Sequence, residues 1–342
     1  DSETAAYSWT SNCSTAAVLM SGLRSIGAAN GAGWSSTAGA AGFPDRTLTM
    51  VIPFAAGGPT DVLGRIMAQA MGEILGQTVI VENIGGAGGM TGGKKVADAK
   101  PDGYTMLLGT VGTQAQGQTL YKHPLYNAVT DFTPVALVAE VPIVLIARPD
   151  FPADNLKDFV AYAKANASKM TFGSAGAGSA THLGCVVADL AMGVNITHVP
   201  YKGSAPAMTD LISGRIDFFC EVLSTAKALI DSHKVKAIAL MTKQRSPVEP
   251  NLATGEEQGV KGFEAYTWNA LFLPKNAPAD VVKTLNDAAV KAMNSAAVKE
   301  RLQKLGATVV PVDQQTPAFL GEYVKSEIKK WEAPIKASGV SQ

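Results

Sequence analysis

The sequence has few cysteines and little charge, and each scarcity excludes a class of protein. Its three cysteines, Cys13, Cys185 and Cys220, form no CxxC motif, so neither a common zinc site nor a thioredoxin-like redox motif is encoded. Charged residues make up 17% of the chain, and 29 basic and 29 acidic side chains give a formal net charge of +0. With no strong field to attract a polyanion, nucleic acid is not expected as a partner.

Long hydrophobic runs and aromatic residues are also scarce. The apolar run 135–147 is interrupted by Glu140 and Pro142 and falls short of the roughly 20 residues that a membrane helix needs. Aromatic residues make up 7% of the chain, whereas there are 34 glycines. This balance favours an α/β protein with tight loops at its strand ends over an all-β sandwich.

What is present is enough apolar sequence for two domains or lobes. The chain has 342 residues, of which 46% are hydrophobic. Residues 1–42 stand apart because Ser, Ala, Gly and Thr dominate them. They are either the remnant of an export signal or a flexible low-complexity extension, and we exclude them from the fold.

The rest of the chain alternates strand and helix patterns. Residues 48–52 are a predicted buried strand, 55–58 a loop, and the apolar spacing from Pro59 onward predicts a helix. The same alternation starts again after residue 146. The repeated βαβ pattern predicts two α/β lobes with mostly parallel sheets.

Two strand–glycine loop–helix segments, 53–61 and 172–182, are the candidate binding elements. In open α/β sheets, ligands lie beyond the carboxyl ends of strands, where such loops expose backbone N–H groups and a helix N-terminus. Neither segment contains Lys or Arg, which favours a carboxylate held by amides and hydroxyls. The alternative is that these glycines only allow close packing of strand and helix.

Nucleotide and catalytic motifs are incomplete. Neither loop has the G-x-G-x-x-G pattern, and segment 88–95 matches GxxxxGK but has Lys95 where a magnesium-binding Ser or Thr belongs. There is no HExxH and no G-x-S-x-G. His182 is the one candidate base, and lining or capping a cleft is the favoured interpretation of it. We therefore expect no cofactor, no metal and no enzymatic activity.

Six segments in order resemble the Bug family, the extracytoplasmic solute receptors of tripartite tricarboxylate transporters. The similarity extends from about residue 43 to 338. The segments are 53–61, 101–105, 131–134, 173–176, 181–183 and 198–203.

The resemblance implies a periplasmic, monomeric binding protein of the type II, Venus flytrap kind, with two lobes and a hinge crossed twice. Residues 43–147 and 260–342 would form lobe 1, and 148–259 lobe 2. The receptor would capture a di-, tri- or aromatic carboxylic acid and deliver it to permease subunits. A ligand sensor for a membrane signalling partner and an enzyme using His182 are the alternatives. The resemblance implies a ligand-binding set of Phe54, Ala55, Gly57, Gly58, Thr60, Asp61, Thr110, Gly173, Ser174, Ala175, Gly176, Gly178, Ser179, Thr181, His182, Tyr201, Lys202, Gly203 and Glu221.

Three of these residues carry charge. Lys202 either faces the cleft as a partner for a carboxylate or lies in solvent. Asp61 and Glu221 would repel an acid, so they either contact a hydroxyl, an amine or water, or cap a helix.

The resemblance also indicates a disulfide between Cys185 and Cys220, with two buried thiols as the alternative. Tyr266, Trp268 and Phe54 either stack on an aromatic acid or pack at the hinge, so the sequence leaves the acid unidentified.

Overall fold

The computed structural model describes residues 42–341, which form a mixed sheet flanked by helices. The predicted extension 1–42 thus lies outside the described residues except for Gly42. The strands are β1 (Leu48–Ile52), β2 (Val79–Asn83), β3 (Thr105–Thr110), β4 (Phe132–Ala147), β5 (Thr171–Ser174), β6 (Thr197–Pro200), β7 (Phe218–Val222), β8 (Lys236–Leu240), β9 (Tyr266–Pro274) and β10 (Thr308–Val309). The helices are α1 (Pro59–Leu75), α2 (Met90–Ala97), α3 (Gly117–Leu120), α4 (Leu156–Asn166), α5 (Ala180–Met192), α6 (Ser204–Ile212), α7 (Leu223–Asp231), α8 (Ala279–Asn294), α9 (Ala296–Lys304) and α10 (Pro317–Ser338).

The strand order is β2-β1-β3-β9-β4-β7-β5-β6, with β8 and β10 also paired to β4. The βαβ units give the parallel pairs β1–β2, β1–β3, β5–β6 and β5–β7. Every antiparallel pair involves β4 or β9. The predicted α/β fold is confirmed, with a sheet that is more mixed than the mostly parallel one we expected.

Strand β4 belongs to two halves of the sheet. Its first part, up to Pro142 opposite Tyr266, pairs with β9, and from Ile143 opposite Val222 it pairs with β7. We call the strands from β2 to the first part of β4 the first half, and those from the second part of β4 to β6 the second half. In the described residues, the chain passes between the halves twice, along β4 and again before β9.

The lobe boundaries at residues 147 and 260 remain a prediction. Contacts group the described residues into one unit and do not divide them at these positions.

Helix α10 is fixed to the central strand β9 by one buried carboxylate. Glu327 accepts hydrogen bonds from the hydroxyl of Tyr266 (2.8 Å) and from the indole N–H groups of Trp268 (3.0 Å) and Trp331 (3.3 Å). Trp268 is 0% exposed. Because its ring packs toward α10, Trp268 is placed for hinge packing and not for stacking on a ligand.

Among the described residues, the helices are all too short or too polar to cross a lipid bilayer.

Candidate functional site

A small cavity lies between the two glycine loops, where α1 and α5 begin. The volume of this cavity is about 30 Å³. None of its lining residues is charged, and most of the polar ones carry a hydroxyl group. The lining residues are Phe54, Gly58, Pro59, Thr60, Thr110, Ala175, Ser179, Ala180, Thr181, Ser204, Val222, Thr267 and Asn269.

The first loop presents an uncapped helix end to this cavity. Gly58 is the N-cap residue of α1 and forms no side-chain cap, while Pro59 occupies the first helical position. The first-turn N–H groups of α1, including that of Thr60, therefore keep their capacity to bind an anion.

Asp61 stabilises the first loop from inside and does not line the cavity. Its carboxylate is 4% exposed and accepts hydrogen bonds from the amide of Gly57 (2.9 Å), from Arg65 (3.0 Å) and from Asn83 (2.9 Å). Burial raises the pKa of Asp61, but these donors outweigh it and hold the pKa below its usual value. Of the alternatives left open for Asp61, these bonds at the start of α1 favour the structural one, and a ligand contact of Asp61 stays a prediction.

The second loop is organised by hydroxyl groups. Ser179 caps α5 by accepting from the amide of His182 (3.3 Å), and Thr181 Oγ1 accepts from the amide of Ala175 (2.9 Å). Ser174 Oγ accepts from the amide of Gly176 (3.0 Å). Ser179, Thr181 and Ala175 line the cavity, whereas Ser174 lies behind it.

His182 supports the second loop from behind the cavity. Its Nδ1 accepts from the amide of Gly178 (3.1 Å), and its ring stacks on His198 with centroids 4.0 Å apart. Ser174 Oγ lies 2.6 Å from Nε2 of His198. Burial lowers the pKa of His182 to about 3, and the neighbouring His198 adds to this. His182 is therefore a neutral, capping side chain that does not line the cavity.

Residues 201–203 join the two halves at the cavity rim. The backbone carbonyl of Lys202 accepts from the amide of Ala55 (3.1 Å), and a Cβ at Gly203 would lie 2.8 Å from Cβ of Ala55. The side chains of Tyr201 and Lys202 border an open outer groove, not the cavity. Lys202 thus contributes its carbonyl oxygen here, and of the two alternatives for its side chain this arrangement favours the solvent-facing one.

The remaining predicted residues also lie outside the cavity lining. Gly57 faces α6, with an added Cβ 3.6 Å from Cβ of Ala205, and Gly178 packs against Tyr121. An added Cβ at Gly173 would lie 2.5 Å from Ile216, so this glycine permits close packing. These three positions fit the packing role that the sequence left open.

Glu221 is a fully buried carboxyl group on β7, beside the cavity-lining residue Val222. Its Oε1 accepts from the hydroxyl of Thr225 (2.7 Å), and its Oε2 has no hydrogen-bond partner among the described residues. Burial raises the pKa of Glu221 to about 7, although the hydrogen bond from Thr225 opposes the rise.

Sequence reasoning missed Ser204, Thr267 and Asn269, which all line the cavity. Thr267 and Asn269 alternate with the aromatic residues Tyr266 and Trp268 along β9, and of this strand only the aromatic residues were considered for contact with a ligand. The signal that could have found them is a polar residue at every second position of an otherwise apolar strand.

Cys185 and Cys220 are paired as a disulfide in the structure, with Cα atoms 5.3 Å apart. The pair joins α5 to β7. No group of three or more His, Cys, Asp or Glu residues in the described chain could hold a metal ion.

Comparisons with known proteins agree with this architecture. Residues 63–340 match the sequence profile described as the tripartite tricarboxylate transporter family receptor. The structure resembles that of the periplasmic binding protein BugD, with 42% identity, a TM-score of 0.84, and coverage of 87% of this chain and 99% of that one.

Two further similar structures contain ligands. The MatC protein of Rhodopseudomonas palustris with bound malate is 37% identical, with a TM-score of 0.83 and coverage of 86% of this chain and 100% of that one. A second R. palustris protein, with adipate, is 33% identical, with a TM-score of 0.83 and coverage of 87% and 99%.

Proposed function

Because this chain belongs to the receptor family of tripartite tricarboxylate transporters, we propose that it closes its two glycine loops around a small carboxylic acid and presents that acid to a membrane permease. The observation that carries the proposal is the uncharged cavity between the loops. An organic acid there would be bound by hydrogen bonds and not by an ion pair.

The cavity offers the donors that such binding needs. The uncapped start of α1 places backbone N–H groups and the positive end of a helix dipole at one side. The hydroxyls of Thr60, Thr110, Ser179 and Thr181 supply further donors. Hydrogen bonds to a charged oxygen contribute about 1.5–3 kcal/mol each, so a few of them account for micromolar binding, which needs about 8 kcal/mol.

Entry of the acid requires the two halves to separate. The cavity has room for about two water molecules, which is less than a dicarboxylate needs. Separation breaks the contact between Ala55 and Lys202 (3.1 Å) and the hydrogen bond from Tyr121 to Ala177 (2.7 Å). A ligand that touches both loops favours the closed population and restores these contacts.

The rest of the proposal follows from the family. We assign the chain to the periplasm, as a monomer whose partner is the permease. We assign it no catalytic step, because His182 does not line the cavity and its Nδ1 is already an acceptor for Gly178. From the predicted set, the ligand contacts are assigned to Phe54, Gly58, Thr60, Thr110, Ala175, Ser179 and Thr181.

A thermal-shift screen tests the proposal. Dicarboxylates, tricarboxylates, aromatic acids and acidic amino acids are each added to the purified protein. A bound acid raises the melting temperature, because it stabilises the folded state by about 2.7 kcal/mol at one hundred times its Kd. The matched control is Thr60→Val with Thr181→Val, which should abolish the shift while the protein still unfolds cooperatively. The proposal fails if no acid raises the melting temperature of the wild type.

A further inference from the structure

One face of strand β9 changes from apolar to polar where it reaches the cavity. Leu273 and Leu271 lie in the core beneath α1 and α8, and the next two residues on that face, Asn269 and Thr267, line the cavity. Trp268 points the other way. The polar pair thus forms the floor of the cavity and comes from neither glycine loop.

Asn269 is held in the middle of the sheet. It lies opposite Thr110 on β3 and opposite Ala139 on β4, so it has a paired strand on both sides. Its side chain is 3% exposed, and its Nδ2 atom has no hydrogen-bond partner among the described residues. A buried donor left unpaired costs about 1–3 kcal/mol, and Asn269 differs from the likewise unpaired side-chain amides of Gln114, Gln116 and Gln118 in that it lines the cavity, where a ligand oxygen could pair with it.

The position of Asn269 Nδ2 on the cavity floor determines which part of a bound ligand this donor can contact. Under the proposed function the loops preceding α1 and α5 take the two ends of the acid, and the floor formed by Asn269 and Thr267 lies between them. We infer that Asn269 is a specificity-determining residue that donates from Nδ2 to an oxygen on the carbon chain between two carboxylates. The preferred ligands are then short hydroxy- or keto-dicarboxylic acids. This inference rests on the proposed receptor function.

Three acids of the same backbone length separate the hydrogen bond from shape. L-malate has a hydroxyl between its carboxylates, succinate has hydrogen there, and 2-methylsuccinate has a methyl group of similar size. Isothermal titration of the wild type should give a Kd for L-malate about tenfold lower than for either of the other two.

Variants at position 269 test whether the side-chain amide of Asn269 causes the preference for L-malate over succinate. Asn269→Leu keeps the number and branching of the side-chain heavy atoms and Asn269→Ala shortens the side chain, so at least one is expected to fold. In either variant, the preference for L-malate over succinate should fall to within about twofold, while the Kd for succinate changes by less than about threefold. Asn166→Ala is the matched control, since this amide bonds Tyr162 on α4, away from the cavity. It should keep the wild-type preference.

The outcomes distinguish the inference from the function. Equal Kd values for the three acids in the wild type would overturn the inference about Asn269 but not the proposed receptor function. The same conclusion would follow if a folded Asn269 variant kept the full wild-type preference for L-malate over succinate. If the wild type binds no acid of the wider screen, the receptor function falls and the inference with it.

Discussion

The hydroxyl of Tyr121 donates a 2.7 Å hydrogen bond to the backbone carbonyl of Ala177. Tyr121 follows α3 in the first half, and Ala177 lies in the second glycine loop. The bond therefore links the two halves beside the cavity and exists only while they are closed.

Removing this hydroxyl should weaken ligand binding without harming the fold. A neutral hydrogen bond contributes about 0.5–1.5 kcal/mol, so Tyr121→Phe should raise the Kd of the identified acid by about 2- to 12-fold. Titration calorimetry measures this change. Tyr162→Phe on α4 removes a hydroxyl far from the cleft and should leave the Kd unchanged. An unaltered Kd in Tyr121→Phe would show that the bond does not contribute to closure.

Glycine at position 88 should be required for closure. A Cβ there would overlap the carbonyl oxygen of Ala177 and lie 3.1 Å from the amide of Ser179. Gly88→Ala should raise the Kd at least tenfold and give a more open molecule by X-ray scattering in the presence of the acid. Its φ of +60° adds strain of about 1–2 kcal/mol.

A matched variant separates that strain from the clash. Gly214 has a φ of +76°, and nothing lies within 4 Å of an added Cβ. Gly214→Ala should therefore lower the melting temperature by a similar amount but leave the Kd unchanged. If Gly88→Ala binds as tightly as Gly214→Ala does, the loops do not close as described.

The buried carboxyl of Glu221 should make stability fall as pH rises. Its pKa is about 7 in the folded protein and 4.5 in the unfolded chain. The full stability is present below pH 4.5 and is lost as pH rises to 7, because only the unfolded chain ionises freely in that window. Glu221→Gln mimics the protonated carboxyl group, so this variant should not lose stability between pH 4.5 and pH 7 through position 221.

Urea unfolding at pH 5 and pH 8 measures this effect. We compare the free energy of unfolding of Glu221→Gln with that of the wild type at each pH. This difference should be about 2 kcal/mol more favourable to the variant at pH 8 than at pH 5, since one pKa unit corresponds to about 1.4 kcal/mol. The exposed Glu256→Gln should show no such gain. A pH-independent difference between Glu221→Gln and wild type would contradict the prediction.

Cys185 and Cys220 should be oxidised in the purified protein. In a Cys13→Ser variant, thiol titration after denaturation without reductant should detect no thiol, and titration after reduction should detect two. The bond spans a sequence separation of 35 residues, so reduction should lower the free energy of unfolding by about 3–4 kcal/mol. Two thiols before reduction would exclude the bond.

Local signals in the sequence predicted much of the fold. From sequence alone, amphipathic spacing predicts helices over residues 279–294 and 317–338, and the observed helices α8 (Ala279–Asn294) and α10 (Pro317–Ser338) have these bounds. A Pro at the first helical position marks the start of α10. Strand β4 was expected only as an apolar segment. No local residue pattern reports that one strand pairs with β9 and then with β7.

The site was harder to predict than the fold because it depends on long-range partners. Asp61 was expected at the ligand, but Asn83, 22 residues further on, helps to bind its carboxylate. The prediction for Lys202 considered only its side-chain ammonium group, whereas its backbone carbonyl makes the contact with Ala55. Asn269 lacks any neighbouring motif, and only the folded sheet places its amide at the cavity.

Pro142 lies where β4 exchanges one neighbour for another, since it is the last residue opposite β9 and Ile143 is the first opposite β7. Proline has no backbone N–H, so β4 cannot donate a backbone hydrogen bond to a neighbouring strand at this position. The chain also crosses between the halves before β9, so opening would require torsional changes at both crossings, the one at Pro142 and the one between β8 and β9.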